Sequence, residues 1–175
     1  MRLHSDMMIR RATPADLPDL MRIVRKAVPL MRASGNLQWD DTYPNEEVFR
    51  HDIERSLLWV AEMDRFVVGV VAITSDSEPD YILADWDHDE PALVIHRLAV
   101  DPDFQGQGVA RTLMNKAEEL AREQGIPVVR VDTNIENRAT QKLFPSLGYR
   151  FAGEISLRIR PDQRFLCYEK RLLFP

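Results

Sequence analysis

The chain has 175 residues, of which 45% are hydrophobic and 29% charged, and its net charge at pH 7 is −5. These values are ordinary for one soluble globular domain with a full core. The negative charge argues against nucleic acid or an anionic membrane surface as a partner.

Cysteine content and hydropathy narrow the class of protein further. The single cysteine, Cys167, excludes an internal disulfide and favours a cytoplasmic location. No segment approaches the roughly 20 apolar residues of a membrane-spanning helix. The amino-terminal stretch lacks the apolar core of a signal peptide. We therefore expect a cytoplasmic protein with no membrane partner.

Strand and helix patterns alternate along the chain. In chain order they predict strand 8–13, helix 14–34, loop 35–45, helix 46–56, strands 57–63 and 66–75, an acidic loop 76–91, strand 92–100, helix 109–124, strand 128–133, helix 137–148, and strands 149–159 and 164–173. Pro29 is expected to end or kink the first helix, and Gly125 to end the third. This order predicts one α/β domain around a mixed sheet, without a linker.

The segment QGQGVARTLMNKAEEL, residues 105–120, places two glycines between a predicted strand and a predicted helix. Exposed backbone N–H groups at a helix N-terminus form an anion site, which suggests a bound phosphate or pyrophosphate. For a lone Gly-x-Gly pair, however, a tight turn is the simpler explanation. The chain has no GxxxxGK[ST] string, and Arg111 replaces the third glycine of a dinucleotide fingerprint. Both absences disfavour a nucleotide-binding domain.

A third family fits the segment better. Residues 105–110 match the pattern [Q/R]-x-x-G-x-[G/A] of the GNAT acetyltransferase superfamily. HRLAVDPDFQGQGVARTLM resembles that family's fourth strand, pyrophosphate loop and third helix, and VDTNIENRATQKLFPSLGYRFAG its fifth strand and fourth helix. The resemblance is specific over residues 92–153, and LQWDDTYP is loosely similar to a subgroup with a Q-W…Y-P segment. It implies a single-domain GNAT-like α/β fold at residues 7–173, with a mixed, mostly antiparallel sheet of about six or seven strands and about four flanking helices.

The resemblance also implies the substrates: acetyl-CoA as acyl donor, and a primary amine of a small molecule or peptide as acceptor. No metal is implied. Backbone amides of the loop would hold the pyrophosphate, namely those of Gln105, Gly106, Gln107, Gly108, Val109 and Ala110. The backbone of Leu98, Ala99 and Val100 would pair with the pantetheine arm, and an amide near Leu98 would polarise the thioester carbonyl. Asn137 would contact the arm. Arg111, Lys116 and Lys142 are candidates for the outer phosphates, although each is more simply a solvated helix charge.

One position departs from the family pattern. Many members carry a tyrosine seven residues after the asparagine, where it is thought to protonate the leaving thiolate. Here the cofactor-facing position is Phe144, which has no proton to donate, and Pro145 is expected to kink or shorten the helix. Tyr149 and Tyr168 are distant substitutes and are more simply strand residues. Phe144 therefore favours an alternative function, a non-catalytic or weakly catalytic module that binds acyl-CoA.

His96 is the candidate catalytic base. The unperturbed pKa of histidine is the closest of any side chain to neutral pH, and the amine must lose a proton to react. Alternation places His96 on the same face of its strand as Leu98 unless a bulge intervenes. A core histidine hydrogen-bonded to backbone explains this position about as well. Glu62 is the second candidate base, and is more simply a surface charge.

Aromatic residues suggest the acceptor site. Gln38, Trp39 and Tyr43 lie between the first two helices, a region that commonly walls the acceptor pocket in the family. Trp39 is equally well explained as an anchor in the core. The acidic loop would attract a cationic amine, although a solvated loop is the simpler explanation. An exposed Trp86 would suit a lid or a subunit contact, which leaves a homodimer open.

Overall fold

A seven-stranded mixed sheet organises the chain, with the strand order β1-β2-β3-β4-β5-β7-β6. The computed structural model describes residues 6–87 and 89–174, so the first part of the stretch judged for a signal peptide lies outside the described residues, as does position 88 of the acidic loop. The strands are β1 Met8–Arg11, β2 Leu58–Met63, β3 Phe66–Thr74, β4 Ala92–Val100, β5 Val128–Asn134, β6 Arg150–Leu157 and β7 Arg160–Arg171. Every neighbouring pair is antiparallel except β4 and β5, which are parallel. The predicted fold class is confirmed.

Four α-helices flank the sheet within the described residues. They are α1 Leu17–Ala33, α2 Glu46–Glu54, α3 Val109–Gln124 and α4 Arg138–Ser146. Gly125 ends α3 with a φ of 69°, as predicted. Pro29 was expected to end or kink the first helix, and the first alternative is wrong, because α1 continues to Ala33. Pro29 is exposed, and the buried residues before it, Ala27 and Val28, hold this last turn against the sheet.

The two faces of the sheet carry different helices. Beneath α3 and α4, apolar residues such as Leu113, Ile95 and Val131 form one buried cluster. On the opposite face, α1 and α2 contribute Ile23 and Phe49 to a second cluster. The alternation of side chains along β4 and β5 therefore decides which helices a residue meets. No helix of the described residues is long and apolar enough to span a bilayer.

Gly69 fixes how closely α3 approaches the sheet. A Cβ atom at this position of β3 would lie only 2.6 Å from Cγ1 of Val109, the first residue of α3. A side chain there would force the helix away from the strands. The glycine thus lets the N-terminus of α3 sit directly beside the end of β4.

Candidate active site

A fork between β4 and β5 forms the centre of the site. The two strands pair only from Ala92–Val128 to Ile95–Val131, although β4 runs on to Val100 and β5 to Asn134. The other edge of β4 stays paired with β3, through Ala99 and Val70 and through Val100 and Gly69. The edge of β4 that faces β5 is therefore open beyond Ile95. An open strand edge can bind an extended ligand as an added strand.

A cavity of about 1230 Å³ occupies this fork. It is lined from both faces of the sheet and by the loop before α3. Most of the predicted site residues meet there, namely Gln38, Trp39, Tyr43, His96, Leu98, Ala99, Val100, Gln105, Gly106, Gly108, Val109, Ala110, Arg111, Asn137 and Phe144. Gln107 and Lys142 do not line it; both are exposed.

The loop before α3 leaves its backbone accessible. Gly106 and Gly108 have φ values of 77° and 81°, a region that glycine adopts without steric cost. No heavy atom lies within 4 Å of the position of a Cβ at either residue. Gly108 is the N-cap residue of α3, so no side chain caps the helix, and its first turn has no acidic residue. Uncapped N–H groups and the helix dipole favour an anion at this point.

Asp101 anchors the entrance to this loop. Its buried carboxylate accepts hydrogen bonds from Arg22 Nη1 and Lys26 Nζ of α1, each at 2.7 Å, and from the backbone N–H of Asp103. Burial alone would raise the pKa of Asp101, but the hydrogen bonds from Lys26, Asp103 and Arg22 outweigh it and lower the pKa. The charged carboxylate thereby ties the end of β4 to α1.

A β-bulge interrupts β4 at Arg97. On β3 two steps separate Ala72 from Val70, whereas three steps separate their partners His96 and Ala99 on β4. Arg97, the residue after His96, has a φ of 51°, which is uncommon for a residue with a side chain. Strand alternation was expected to place His96 and Leu98 on the same face unless a bulge intervened, and this bulge places them on opposite faces. Leu98 packs beneath α3, whereas His96 follows Ile95 and faces the other side of the sheet.

His96 lies in a partly buried environment beside Arg97 and the backbone of Asp76. Burial is the largest cause that lowers its pKa to about 4, and the charge of Arg97 adds to the effect. The hydrogen bond with the Asp76 backbone opposes both. His96 is therefore neutral at pH 7 and a weaker base than an exposed histidine. The second candidate base, Glu62, lies on β2 outside the cavity and accepts from Arg10 Nε at 2.9 Å.

The α1–α2 connection walls the part of the cavity where the acceptor was expected to bind. Trp39 lines the cavity, yet it is only 4% exposed and packs in the cluster beneath α1 and α2. Trp39 can therefore both anchor the core and wall the cavity. The β6–β7 hairpin closes one side, because the Arg160 guanidinium lies 5.7 Å from the centre of the Tyr43 ring and its Nε donates to the Gln38 carbonyl at 3.3 Å. Arg160 was not among the predicted site residues, because no local pattern in the sequence marks it.

Helix α4 contributes to the opposite side. Asn137 is its N-cap and accepts from the Thr140 backbone N–H at 3.2 Å. Phe144 is 1% exposed and meets the Tyr168 ring edge-on, with centroids 5.5 Å apart. Pro145 lies within α4, which continues to Ser146.

The two tyrosines considered as substitutes for the missing acid lie elsewhere. The Tyr149 hydroxyl donates to Glu118 at 3.3 Å, and neither Tyr149 nor Tyr168 lines the cavity. Burial raises the pKa of both phenols.

The basic residues near the loop differ in position. Arg111 lines the cavity and donates to Ser146 Oγ at 3.4 Å. The ammonium of Lys116 instead lies 4.6 Å from the Trp59 ring centre, away from the cavity. Only Arg111 of the three proposed phosphate-binding cations thus reaches the fork.

The acidic loop packs on the sheet through Trp86. This residue is half-buried, so the exposed aromatic that would suit a lid or a subunit contact is not found at this position. Its Nε1 donates to the Tyr81 carbonyl at 2.6 Å, and the Arg130 guanidinium lies 4.6 Å from its ring centre. The loop also carries Tyr81, whose hydroxyl donates to Asp132 Oδ2 at 2.5 Å. Asp132 lines the cavity and was missed from the sequence. In residues 6–87 and 89–174, no cluster of three His, Cys, Asp or Glu side chains could hold a metal ion.

Comparisons with known proteins agree with this geometry. The model of the acetyltransferase (GNAT) family matches residues 22–149. N-acetyltransferase 8B of Homo sapiens is 32% identical over 99 residues, which are 57% of this chain and 40% of that protein. N-acetylaspartate synthetase of Homo sapiens is 31% identical over 119 residues, 68% of this chain and 35% of that protein. The chain spans less than half the length of these two relatives. The crystal structure of a GNAT-family acetyltransferase from Streptococcus agalactiae matches with a TM-score of 0.83 at 28% identity, covering 99% of this chain and 100% of that one.

Proposed function

Because this chain belongs to the acetyltransferase (GNAT) family, we propose that it transfers an acetyl group from acetyl-CoA to a primary amine of a small molecule or peptide. The catalytic domain in this proposal spans residues 7–173. The single cysteine, which is free and buried, favours a cytoplasmic location for it.

The open edge of β4 carries the proposal. It runs from the bulge at Arg97 along Leu98, Ala99 and Val100 towards the uncapped N-terminus of α3. An extended arm that ends in a pyrophosphate matches this arrangement: amide and carbonyl groups would pair along the strand edge, and the anion would lie at the helix N-terminus. Arg111 would add a positive charge beside the phosphates.

The proposed reaction needs an amine with a free electron pair. The nitrogen attacks the thioester carbonyl, a C–N bond forms, and the C–S bond breaks with loss of the CoA thiolate. A thiol has a pKa of roughly 8.5, so its thiolate is an acceptable leaving group near neutral pH even without a tyrosine at position 144. A backbone N–H near Leu98 would stabilise the negative charge that develops on the carbonyl oxygen.

The acceptor would bind on the face of the sheet that carries α1 and α2. Gln38, Trp39 and Tyr43 wall this part of the cavity, and Glu78 lines it as a half-buried carboxyl. Burial and the nearby Asp80 raise the pKa of Glu78. An acidic wall favours a cationic amine as acceptor. The relative N-acetylaspartate synthetase is instead named for the acetylated form of aspartate, an anionic amino acid, so amino acids form a second acceptor class to test.

A thiol-release assay tests the proposal. Purified protein is incubated with acetyl-CoA and a panel of amines: amino acids including aspartate, polyamines, arylalkylamines and peptides with free N-termini. We expect release of free CoA that depends on one amine class, with the acetylated amine identified by mass spectrometry. Acetyl-CoA binding by calorimetry without transfer to any amine would instead support the binding module that Phe144 favours.

A further inference from the structure

His96 and Asp132 occupy matching positions at the start of the fork. The last paired residues of the parallel strands are Ile95 on β4 and Val131 on β5, and both side chains lie in the cluster beneath α3. Alternation therefore directs the next residues, His96 and Asp132, to the opposite face, where the acceptor would bind. Adjacent paired strands lie roughly 4.8 Å apart, so the two residues, one step beyond the last pair, start from neighbouring positions on this face. Both line the cavity.

The surroundings of Asp132 are unusual for a structural carboxylate. Tyr81, from the 3-10 helix Pro79–Leu83, donates its hydroxyl to Oδ2 at 2.5 Å. Glu78 from the same loop also raises its pKa, and Cys167 lies opposite it on β7. Arg130, two residues earlier on β5, lies on the same face. Arg130 lies 3.8 Å from Glu169 Oε2 and over the Trp86 ring, and the hydrogen bond recorded for the Asp132 carboxylate comes from the neutral Tyr81 phenol. Buried carboxylates that serve structure are usually paired with a cation.

The pKa values of Asp132 and His96 indicate which of the two is the stronger base. Burial raises the pKa of Asp132 to about 6, and the hydrogen bond from Tyr81 opposes this rise. His96 has a pKa of about 4. At pH 7 the carboxylate is thus the stronger base of the two, and it is mostly unprotonated.

We propose that Asp132 accepts the proton of the acceptor amine and that Tyr81 positions its carboxylate. This assignment rests on the proposed acetyltransferase function. The ammonium gives one proton to Asp132, which passes it to solvent. The free amine attacks the thioester carbonyl, and the second nitrogen-bound proton goes to the departing thiolate as the C–S bond breaks. The products are the acetylated amine, CoA thiol and one proton released to solvent.

The test is the pH dependence of kcat/KM for the amine between pH 5 and 8. In the wild-type protein we expect activity to rise with pH through an apparent pKa near 6, because the base must be ionised. Asp132→Asn keeps the shape and a hydrogen-bond acceptor for Tyr81, and it should lose this rise and about 10²-fold of kcat/KM at pH 7. The KM for acetyl-CoA should not change.

Tyr81→Phe gives an independent readout. The phenol hydrogen bond stabilises the carboxylate, so its loss should move the apparent pKa upwards while the protein stays active. His96→Gln is the matched neighbour variant, and it should keep the rise near pH 6. A purely structural contact between Tyr81 and Asp132 would lower the melting temperature of these variants and leave the pH profile in place.

The possible outcomes distinguish a failure of the proposed function from a failure of the Asp132 assignment. Failure to acetylate any amine overturns the proposed function and with it this assignment. An active protein whose Asp132→Asn variant retains the rise overturns the assignment of Asp132 alone. Loss of the rise in His96→Gln instead of Asp132→Asn would assign the proton to His96.

Discussion

Arg97 on the bulge of β4 and Asp52 on α2 form a two-point ion pair. Arg97 Nε and Nη2 lie 2.7 and 2.8 Å from the two carboxylate oxygens of Asp52, and Nη1 donates to the Tyr43 hydroxyl at 3.3 Å. Arg97 has a φ of 51°, so these contacts hold a backbone conformation that is unfavourable by itself. The bulge at the start of the open β4 edge is thus held by Asp52 and Tyr43, which line the same cavity.

Asp52→Asn should therefore destabilise the protein. The Asp52 side chain is 5% exposed, and removing its charge leaves a mostly buried guanidinium uncompensated, which costs about 3 kcal/mol. Asp76→Asn is the control, because Asp76 pairs with Arg55 at the same 2.7 Å but both side chains are about half exposed or more. That exposed pair should contribute under ~1 kcal/mol. Urea denaturation measures both, and equal losses would contradict the role given to Asp52.

The proposed anion site before α3 predicts a loss of acyl-CoA binding in Gly108→Asp. The new carboxylate would lie beside the uncapped helix N-terminus and repel a pyrophosphate, and a side chain at a φ of 81° would distort the loop. We expect affinity for acetyl-CoA to fall at least tenfold, or about 1.4 kcal/mol, in calorimetry. Gly125→Asp is matched in charge and has a similar φ of 69°, but it lies at the other end of α3. It should lose stability and keep the affinity.

The sequence predicted what depends on local pattern. The strand, glycine loop and helix from Ala92 to Gln124 have strong periodicity and clear end signals, and all were placed correctly. The bulge at Arg97 has no such signal, because an arginine at positive φ is held there by Asp52, 45 residues away in sequence. Tertiary contacts overrode the local preference, as they did at Pro29 in α1.

Asp132 was missed for a related reason. Its alternation with Val129 and Val131 identifies a polar position on one face, but only the parallel register of β4 and β5 places it beside His96. Register between distant strands follows from packing rather than from the composition of either strand. The contact of Trp86 with Tyr81 and Arg130 was unpredictable on the same grounds.

Trp39→Ala should affect both stability and the acceptor. The side chain is 4% exposed and packed in the cluster beneath α1 and α2, so its truncation should cost about 3–5 kcal/mol. Because Trp39 also lines the cavity, the KM for the amine should rise more than the KM for acetyl-CoA. Thermal unfolding and steady-state kinetics measure the two effects. A destabilised variant with both KM values unchanged would show that Trp39 is only a core residue.

The pKa of His96 predicts an acid-sensitive stability. The folded protein takes up a proton on this ring only near pH 4, whereas the unfolded chain does so near 6.5. The unfolded state thus binds more protons between these values, and the free energy of unfolding should fall as the pH drops from 6.5 to 4. Asp132 acts in the opposite direction, since its folded pKa is raised. His96→Gln should remove the loss of unfolding free energy that His96 causes at low pH, which is on the order of 2 kcal/mol for this partly exposed ring.

Urea denaturation at several pH values between 4 and 8 compares the wild-type protein with His96→Gln. The difference between their unfolding free energies should change across this window and be constant above pH 7. A constant difference at all pH values would mean that His96 has an ordinary pKa in the folded protein.

Phe144→Tyr tests the one clear departure from the family pattern. The ring lines the cavity from α4 and is held edge-on against Tyr168, so its orientation is fixed by packing. We expect the added hydroxyl to donate to the leaving sulfur and to raise kcat by up to ~10²-fold, the lower range of general acid catalysis. Tyr168→Phe is the control, because that residue does not line the cavity and should leave kcat within about twofold, a change too small for the loss of a general acid. An unchanged kcat with a lowered melting temperature in Phe144→Tyr would mean that the hydroxyl is buried without a partner in the core. In the proposed reaction the thiolate would then depart without a protein acid at position 144.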